Sequence, residues 1–254
     1  MLVAASSSQS VSIMYPAVPE LVEGCLGDFQ KLGLVAGLFF FWRDSRNKPG
    51  NDGGVMIIKS IAETSYSGMF KVAPAEGISF FIRKEYLPSL DFDLIQPGAE
   101  FNEQQTDEIL DAGLICVVEL KAVGYLARAE QCRFGLTQKL IAKKYDKKYI
   151  DVALTYLEGR GYLSDERFAR AWLHDRRINH FEGRTKLAAE LGARGIGREV
   201  AAVALDEFFT ENDEAEICAK AYERFVKQGK EGDKLVAAML KAGFSYKLVR
   251  HCEP

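Results

Sequence analysis

Histidine and cysteine are scarce in this 254-residue chain, with three of the first and five of the second. His174, His180 and His251 stand alone. Cys25, Cys116, Cys132, Cys218 and Cys252 are far apart, odd in number and without any C-x-x-C pair. No metal-ligand spacing exists, so no metal is expected, and reduced thiols in a cytoplasmic protein are the plain expectation. The apolar run Leu32–Trp42 is too short to span a bilayer. The acids before it, with almost no basic residues, argue against a signal peptide, so no membrane partner is expected. A Gly-rich phosphate loop is missing, and no histidine has a nucleophile at motif spacing. His174 and Asp175 are adjacent, which on a helix points them about 100° apart and makes no relay. The inventory excludes an enzyme, with neither cofactor nor small-molecule substrate expected.

What is present is apolar bulk, 48% of the residues, enough for a packed core. The net charge of −3 conceals a division along the chain. Residues 56–120 hold 4 Lys and Arg against 11 Asp and Glu, whereas residues 121–200 hold 17 against 10. The count is 4 against 5 for residues 1–55 and 8 against 10 for 201–254. An acidic block followed by a basic one suggests an anionic partner for the middle of the chain, although a solvated helical surface gives the same count.

Residues 1–55 show no sustained period and contain turn formers from Arg43 to Gly54. They are expected to be a disordered or non-native extension, with Met56 as the natural start. Residues 56–120 read as a small α+β module. Met56–Ile61 and Gly77–Ile82 are short β-like runs, with Phe80 and Phe81 as core. Asn102 and Gln105 have capping-box spacing, and Gly113 is the expected end of that helix.

From Lys121 onward the pattern is helical and repeats. Four apolar positions spaced 4, 5, 4 occur three times: Leu136, Leu140, Tyr145, Tyr149, then Leu187, Leu191, Ile196, Val200, then Leu235, Met239, Phe244, Leu248. Copies are offset by 51 and 48 residues, within the range of helical repeats. Each 4-step is one helical turn, and the 5-step marks a break. Gly195 and Gly243 supply the turn in copies two and three, and Asp146 can cap the next helix in copy one. Amphipathic stretches at Tyr125–Arg133, Glu166–Ile178 and Glu214–Phe225 precede the copies. The expected fold is mainly α, with three tandem three-helix repeats (helix-turn-helix-like units) in an elongated array behind the α+β module. The divisions are 1–55, 56–120, 121–163, 164–210 and 211–254.

The basic residues are the candidate binding set: Arg128, Arg133, Lys139 and Lys143 in copy one, and Arg167, Arg170, Arg176, Arg177, Arg184, Lys186 and Arg194 in copy two. Lys144, Lys147, Lys148 and Arg198 belong to the same block. Any one of them could be a solvated helix residue, but together they favour contact with nucleic acid or a nucleoprotein. Ser164 reads as an N-cap, with Leu163, Phe168 and Trp172 as core and Asp165, Arg167 and Arg170 as surface.

The run Tyr125–Glu130, then Leu136-x-x-x-Leu140, Gly161–Ala169 with Trp172, Gly183-Arg184 leading to Leu191-x-x-x-Gly195-Ile196, and Gly243–Tyr246 resembles the RecX family. The similarity covers about 56–254 and is most specific in the central unit; Gly24–Gly54 has no counterpart in the family. It implies a cytoplasmic, monomeric regulator that binds RecA protein and the RecA–single-stranded DNA filament. The implied effect is inhibition of ATP hydrolysis, strand exchange and coprotease activity, without catalytic residues. It leaves room for direct contact with single-stranded DNA. Two readings compete with it: a helix-turn-helix or winged-helix transcription regulator, with Gly161-Tyr162-Leu163 opening a wing, and a repeat scaffold without DNA contact.

Overall fold

A computed structural model of the protein describes residues 56–252, and the expectations for 1–55 lie outside them. Four antiparallel strands come first: β1 (Met56–Glu63), β2 (Met69–Pro74), β3 (Phe80–Arg83) and β4 (Glu100–Phe101), in the order β3-β2-β1-β4. Alternation sets their faces. Met56 and Ile58 of β1 are buried while Ile57 and Lys59 are exposed, and Phe80 and Ile82 are buried in β3.

Helix α1 (Glu103–Leu126) starts at the expected capping box between Asn102 and Gln105 and lies against β3. It does not stop at Gly113, which is buried in mid-helix. Fourteen residues of α1 are buried, and that packing outweighs the ~1 kcal/mol that an interior glycine costs. The expected division between residues 120 and 121 therefore falls inside one helix. Tyr125–Arg133 is not a separate helix: α1 ends at Leu126 and a turn carries the chain to Arg133. The first helix of repeat one is the C-terminal part of α1. Repeat one and the sheet module accordingly share one continuous core.

At its centre is a buried ion pair, with side chains 5% and 3% exposed. Arg83 Nε and Nη2 each donate to Glu119 at 2.7 Å, and the Tyr86 hydroxyl donates to the same carboxylate at 2.8 Å. Arg83 Nη1 also donates to the Ser67 carbonyl, so this network joins strand, loop and helix.

The repeats follow as α2 (Arg133–Ala142) and α3 (Lys147–Gly159), then α4 (Asp165–Asn179), α5 (Arg184–Ala193) and α6 (Arg198–Glu211), then α7 (Glu214–Lys227), α8 (Gly232–Lys241) and α9 (Tyr246–Cys252). Expected caps are in place: Asp146 accepts from the Lys148 amide and Ser164 from the Arg167 amide. The 4, 5, 4 trace faces inward. Its members are buried except Tyr145, Val200 and Leu248, which pack half-buried against the cores. Each 5-step is a turn with one residue at positive φ: Lys144 at 66°, Gly195 at 80° and Gly243 at 92°.

Those turns also join the repeats. The Arg194 carbonyl accepts from Cys132 Sγ at 3.3 Å, and Gly195 lies against Phe134. One repeat later, the Ala242 carbonyl accepts from the Gly183 amide at 2.9 Å, and Gly243 lies against Lys186. Cys132 and Gly183 are the N-caps of α2 and α5, so the same turn docks on the same place of the preceding unit twice. Among the described residues no strand follows Phe101, and Gly161–Leu163 leads into α4 rather than into a wing.

Candidate binding surface

Repeat two carries most of the candidate cations, and the structure gives nearly all of them partners. Arg167 Nε donates to Glu130 at 2.9 Å, while its other nitrogens donate to the carbonyls of Gly161 and Tyr162 at 2.9 and 3.0 Å. It clamps the turn before α4. Arg170, three residues on, turns to a different neighbour and makes a bidentate pair with Glu207 of α6 at 2.6 and 3.1 Å. Its hydrogen bond to Glu207 raises the guanidinium further above its ordinary range.

Arg176 is the hub of a second network. It donates to Glu182 at 2.7 and 3.1 Å and to Glu190 at 2.9 Å, with its guanidinium 5.4 Å from the centre of the Trp172 ring. Lys186 reaches Glu182 at 2.5 Å. Arg194 donates to the Glu190 carbonyl at 2.7 Å and lies over the same Trp172 ring, 4.5 Å from its centre. Burial pushes the Glu182 carboxyl up, but the hydrogen bonds from Arg176 and Lys186 outweigh it and hold the group below its ordinary value of 4.5. Arg184 pairs with Asp206 and lies over Phe209, and Arg177 donates to Asn212 at 2.7 Å.

In repeat one, Arg133 pairs with Glu158 and donates to Thr155 at 3.2 Å. Asp165, expected at the surface, accepts from the Arg133 amide at 2.7 Å and so links two repeats. Lys139 donates to Gln131 at 2.5 Å and lies 5.6 Å from the Tyr125 ring centre. Arg128 and Lys143 are exposed and have no side-chain partner among the described residues. The same holds for Lys144, Lys147 and Arg198, which belong to the basic block but not to the candidate set. The signal that could have singled out Lys144 is its place in the repeat, where the other two copies have glycine.

Two apolar residues also repeat on the outside. Val152 of α3 and Val203 of α6 are 51 residues apart, the offset of the copies, and both are exposed, by 43% and 52%. A cleft of about 570 Å³ lies between repeats two and three, lined by Arg177, His180 and Lys220 but also by Glu211, Asp213 and Glu216. Its charges are mixed and favour no ligand. Among the described residues no cluster of His, Cys, Asp or Glu could hold a metal ion, and no helix is long and apolar enough to cross a membrane.

Comparison with known proteins matches this arrangement. A family model described as "RecX, second three-helix domain" matches residues 164–205. A regulatory protein RecX of Treponema pallidum (strain Nichols) is 35% identical over 155 residues, covering 61% of this chain and 94% of the relative. That of Chromohalobacter salexigens is 32% identical over 132 residues, covering 51% and 86%. A crystal structure of regulatory protein RecX superposes with a TM-score of 0.63 at 19% identity, over 78% of this chain and 98% of the other, a likeness of fold.

Proposed function

The chain belongs to the RecX family of regulatory proteins, and from that premise we propose that it acts in the cytoplasm, as a monomer, on the RecA recombinase. In this reading it binds RecA and RecA filaments on single-stranded DNA, and it inhibits ATP hydrolysis, strand exchange and coprotease activity. The observation that supports it is the serial array. Three units of one design, joined by the same turn-to-cap contact, present equivalent positions at regular intervals. The exposed pair Val152 and Val203 is one such set. A surface with a period suits a partner with a period, and a recombinase filament is a polymer of identical subunits.

The test is the RecA ATPase on single-stranded DNA, with the full-length protein added below the RecA concentration. A slowed rate is the expected result, and an unchanged rate up to equimolar protein sinks the reading. Charge reversal at Arg167, Arg170, Arg176 and Arg177 is a poor probe of that contact, because three of the four are ion-paired within the fold, Arg170 and Arg176 inside repeat two and Arg167 to Glu130 of repeat one. Losses in those variants would report folding as well as binding. Substitutions at the unpaired cations separate the two.

A further inference from the structure

The three inter-helix turns share a backbone but not their surroundings. Those of repeats two and three abut the preceding unit, and a side chain at Gly195 or Gly243 would collide with Phe134 or Lys186. Among the described residues, the sheet module and not another repeat precedes repeat one. Residues 141–144 at its turn are exposed, and a lysine occupies the left-handed position. From this asymmetry we infer that the first turn is a contact for the phosphate backbone of single-stranded nucleic acid, held by Lys143, Lys144 and Lys147. The assignment names a direct DNA contact within the RecA–DNA reading above and in that sense rests on it.

Among the described residues most of the charge there is left without an ion-pair partner. Residues 143–148 read Lys-Lys-Tyr-Asp-Lys-Lys, and the one acid, Asp146, is occupied as N-cap at 3.0 Å from the Lys148 amide. Lys148 is held by Asp111 at 3.0 Å. Lys143, Lys144 and Lys147 are exposed and have no acid within ion-pair distance among the described residues. Like charges this close repel one another, and an anionic strand relieves that repulsion. The contrast with repeat two is direct: Arg194, at the place of Lys143, is engaged with Glu190 and Trp172.

The residue types favour a phosphate backbone. Ammonium groups bind phosphates as point charges, and phosphate contacts carry no base sequence information. Aromatic rings lie among the cations. Tyr145 is half-buried in the turn itself, and Lys121 and Lys139 each lie 5.6 Å from the ring centre of Tyr125. Basic and aromatic side chains interleaved in this way suit a strand with unpaired bases better than a duplex.

The test measures anisotropy of a fluorescein-labelled oligothymidylate over a range of salt concentrations, without RecA. The first variant combines Lys143→Gln, Lys144→Gly and Lys147→Gln. A control combines Lys227→Gln, Lys234→Gln and Lys241→Gln, which removes the same charge from repeat three. Glycine is compatible with the turn at 144, and thermal melts verify that both variants fold. Each phosphate contact contributes about 0.7 to the slope of log K against log salt on a single strand, so the first variant should lose about 2 of slope and the control much less. Equal losses, an unchanged slope in the first variant, or no binding by the wild type overturns the assignment. Slope loss with no inhibition of RecA would sink the functional reading and leave this one standing. Inhibition intact with an unchanged slope overturns this assignment alone.

Discussion

Gly195 is seated against Phe134 so closely that a Cβ on the glycine would overlap the Cβ and Cγ of the ring. The turn of repeat two is thereby locked onto the first turn of α2, with the Cys132 thiol donating to the neighbouring Arg194 carbonyl. Two penalties coincide there for any other residue, the positive φ of 80° and the missing space. Gly195→Ala should cost roughly 2–4 kcal/mol, the sum of left-handed backbone strain and overpacking. Gly243→Ala should behave alike against Lys186. Chemical denaturation of each variant checks this, and a change under about 0.5 kcal/mol, as at ordinary surface sites, would mean that the turns do not clamp the units.

Lys144 provides the opposite case at the equivalent position. Its φ of 66° strains a residue with a side chain, yet that side chain is exposed and has no partner among the described residues. Lys144→Gly should therefore raise stability by about 0.5–1 kcal/mol, because the relief of strain exceeds the entropy that glycine adds to the unfolded chain. Denaturant midpoints of the two proteins decide the sign.

The Arg83–Glu119 pair should be costly to halve. Glu119→Ala leaves a buried guanidinium facing an apolar core and deprives the Tyr86 hydroxyl of its acceptor. A loss of about 3–5 kcal/mol is expected, whereas a double replacement by Met at 83 and Leu at 119 should recover most of it. Equal losses in the single and double variants would show that the volume, not the charge, matters.

The parts of this fold legible in the sequence are those set by local rules. Burial imposes a period, so the 4, 5, 4 trace marked Leu136, Leu187 and Leu235 as equivalent core residues. Caps depend on one side chain and an amide two or three residues away, so Asn102, Asp146 and Ser164 were readable as helix starts. Gly113 has the local look of a helix end, but its fate depends on what packs around α1, which no local pattern carries. The candidate surface was harder still. The sequence counts cations but not their partners, and Arg167 and Arg170 each find an acid 37 residues away. Most of the basic block of repeat two is consequently bound up within the fold, and i,i+4 spacing offers only the Lys186–Glu182 and Arg194–Glu190 pairs.

Arg176 shows what that engagement implies for mutagenesis. Arg176→Glu would place a third carboxylate between Glu182 and Glu190 and strip Trp172 of one stacked cation. A destabilisation of roughly 1–3 kcal/mol is expected from breaking a partly solvated pair and adding like-charge repulsion. A melt matching wild type would contradict the structural role and return Arg176 to the binding candidates.

Acid should loosen the same network, and the sign follows from Glu182. Its carboxyl is held below 4.5 in the folded protein by Arg176 and Lys186, against the effect of its burial. The unfolded chain therefore takes up the proton first as pH falls. The stability from this group is fully present above about pH 4.5 and is lost as pH drops through the lower folded value. Glu182→Gln keeps the size but cannot carry the charge. At neutral pH the variant should be less stable by on the order of 1 kcal/mol, a modest amount because the two cations remain partly solvated. Below pH 4.5 the difference from wild type should shrink toward zero. Denaturation midpoints of both proteins at pH 7 and at pH 3–4 test it. A gap that stays constant across that range would assign the loss to packing and remove the carboxylate from the account.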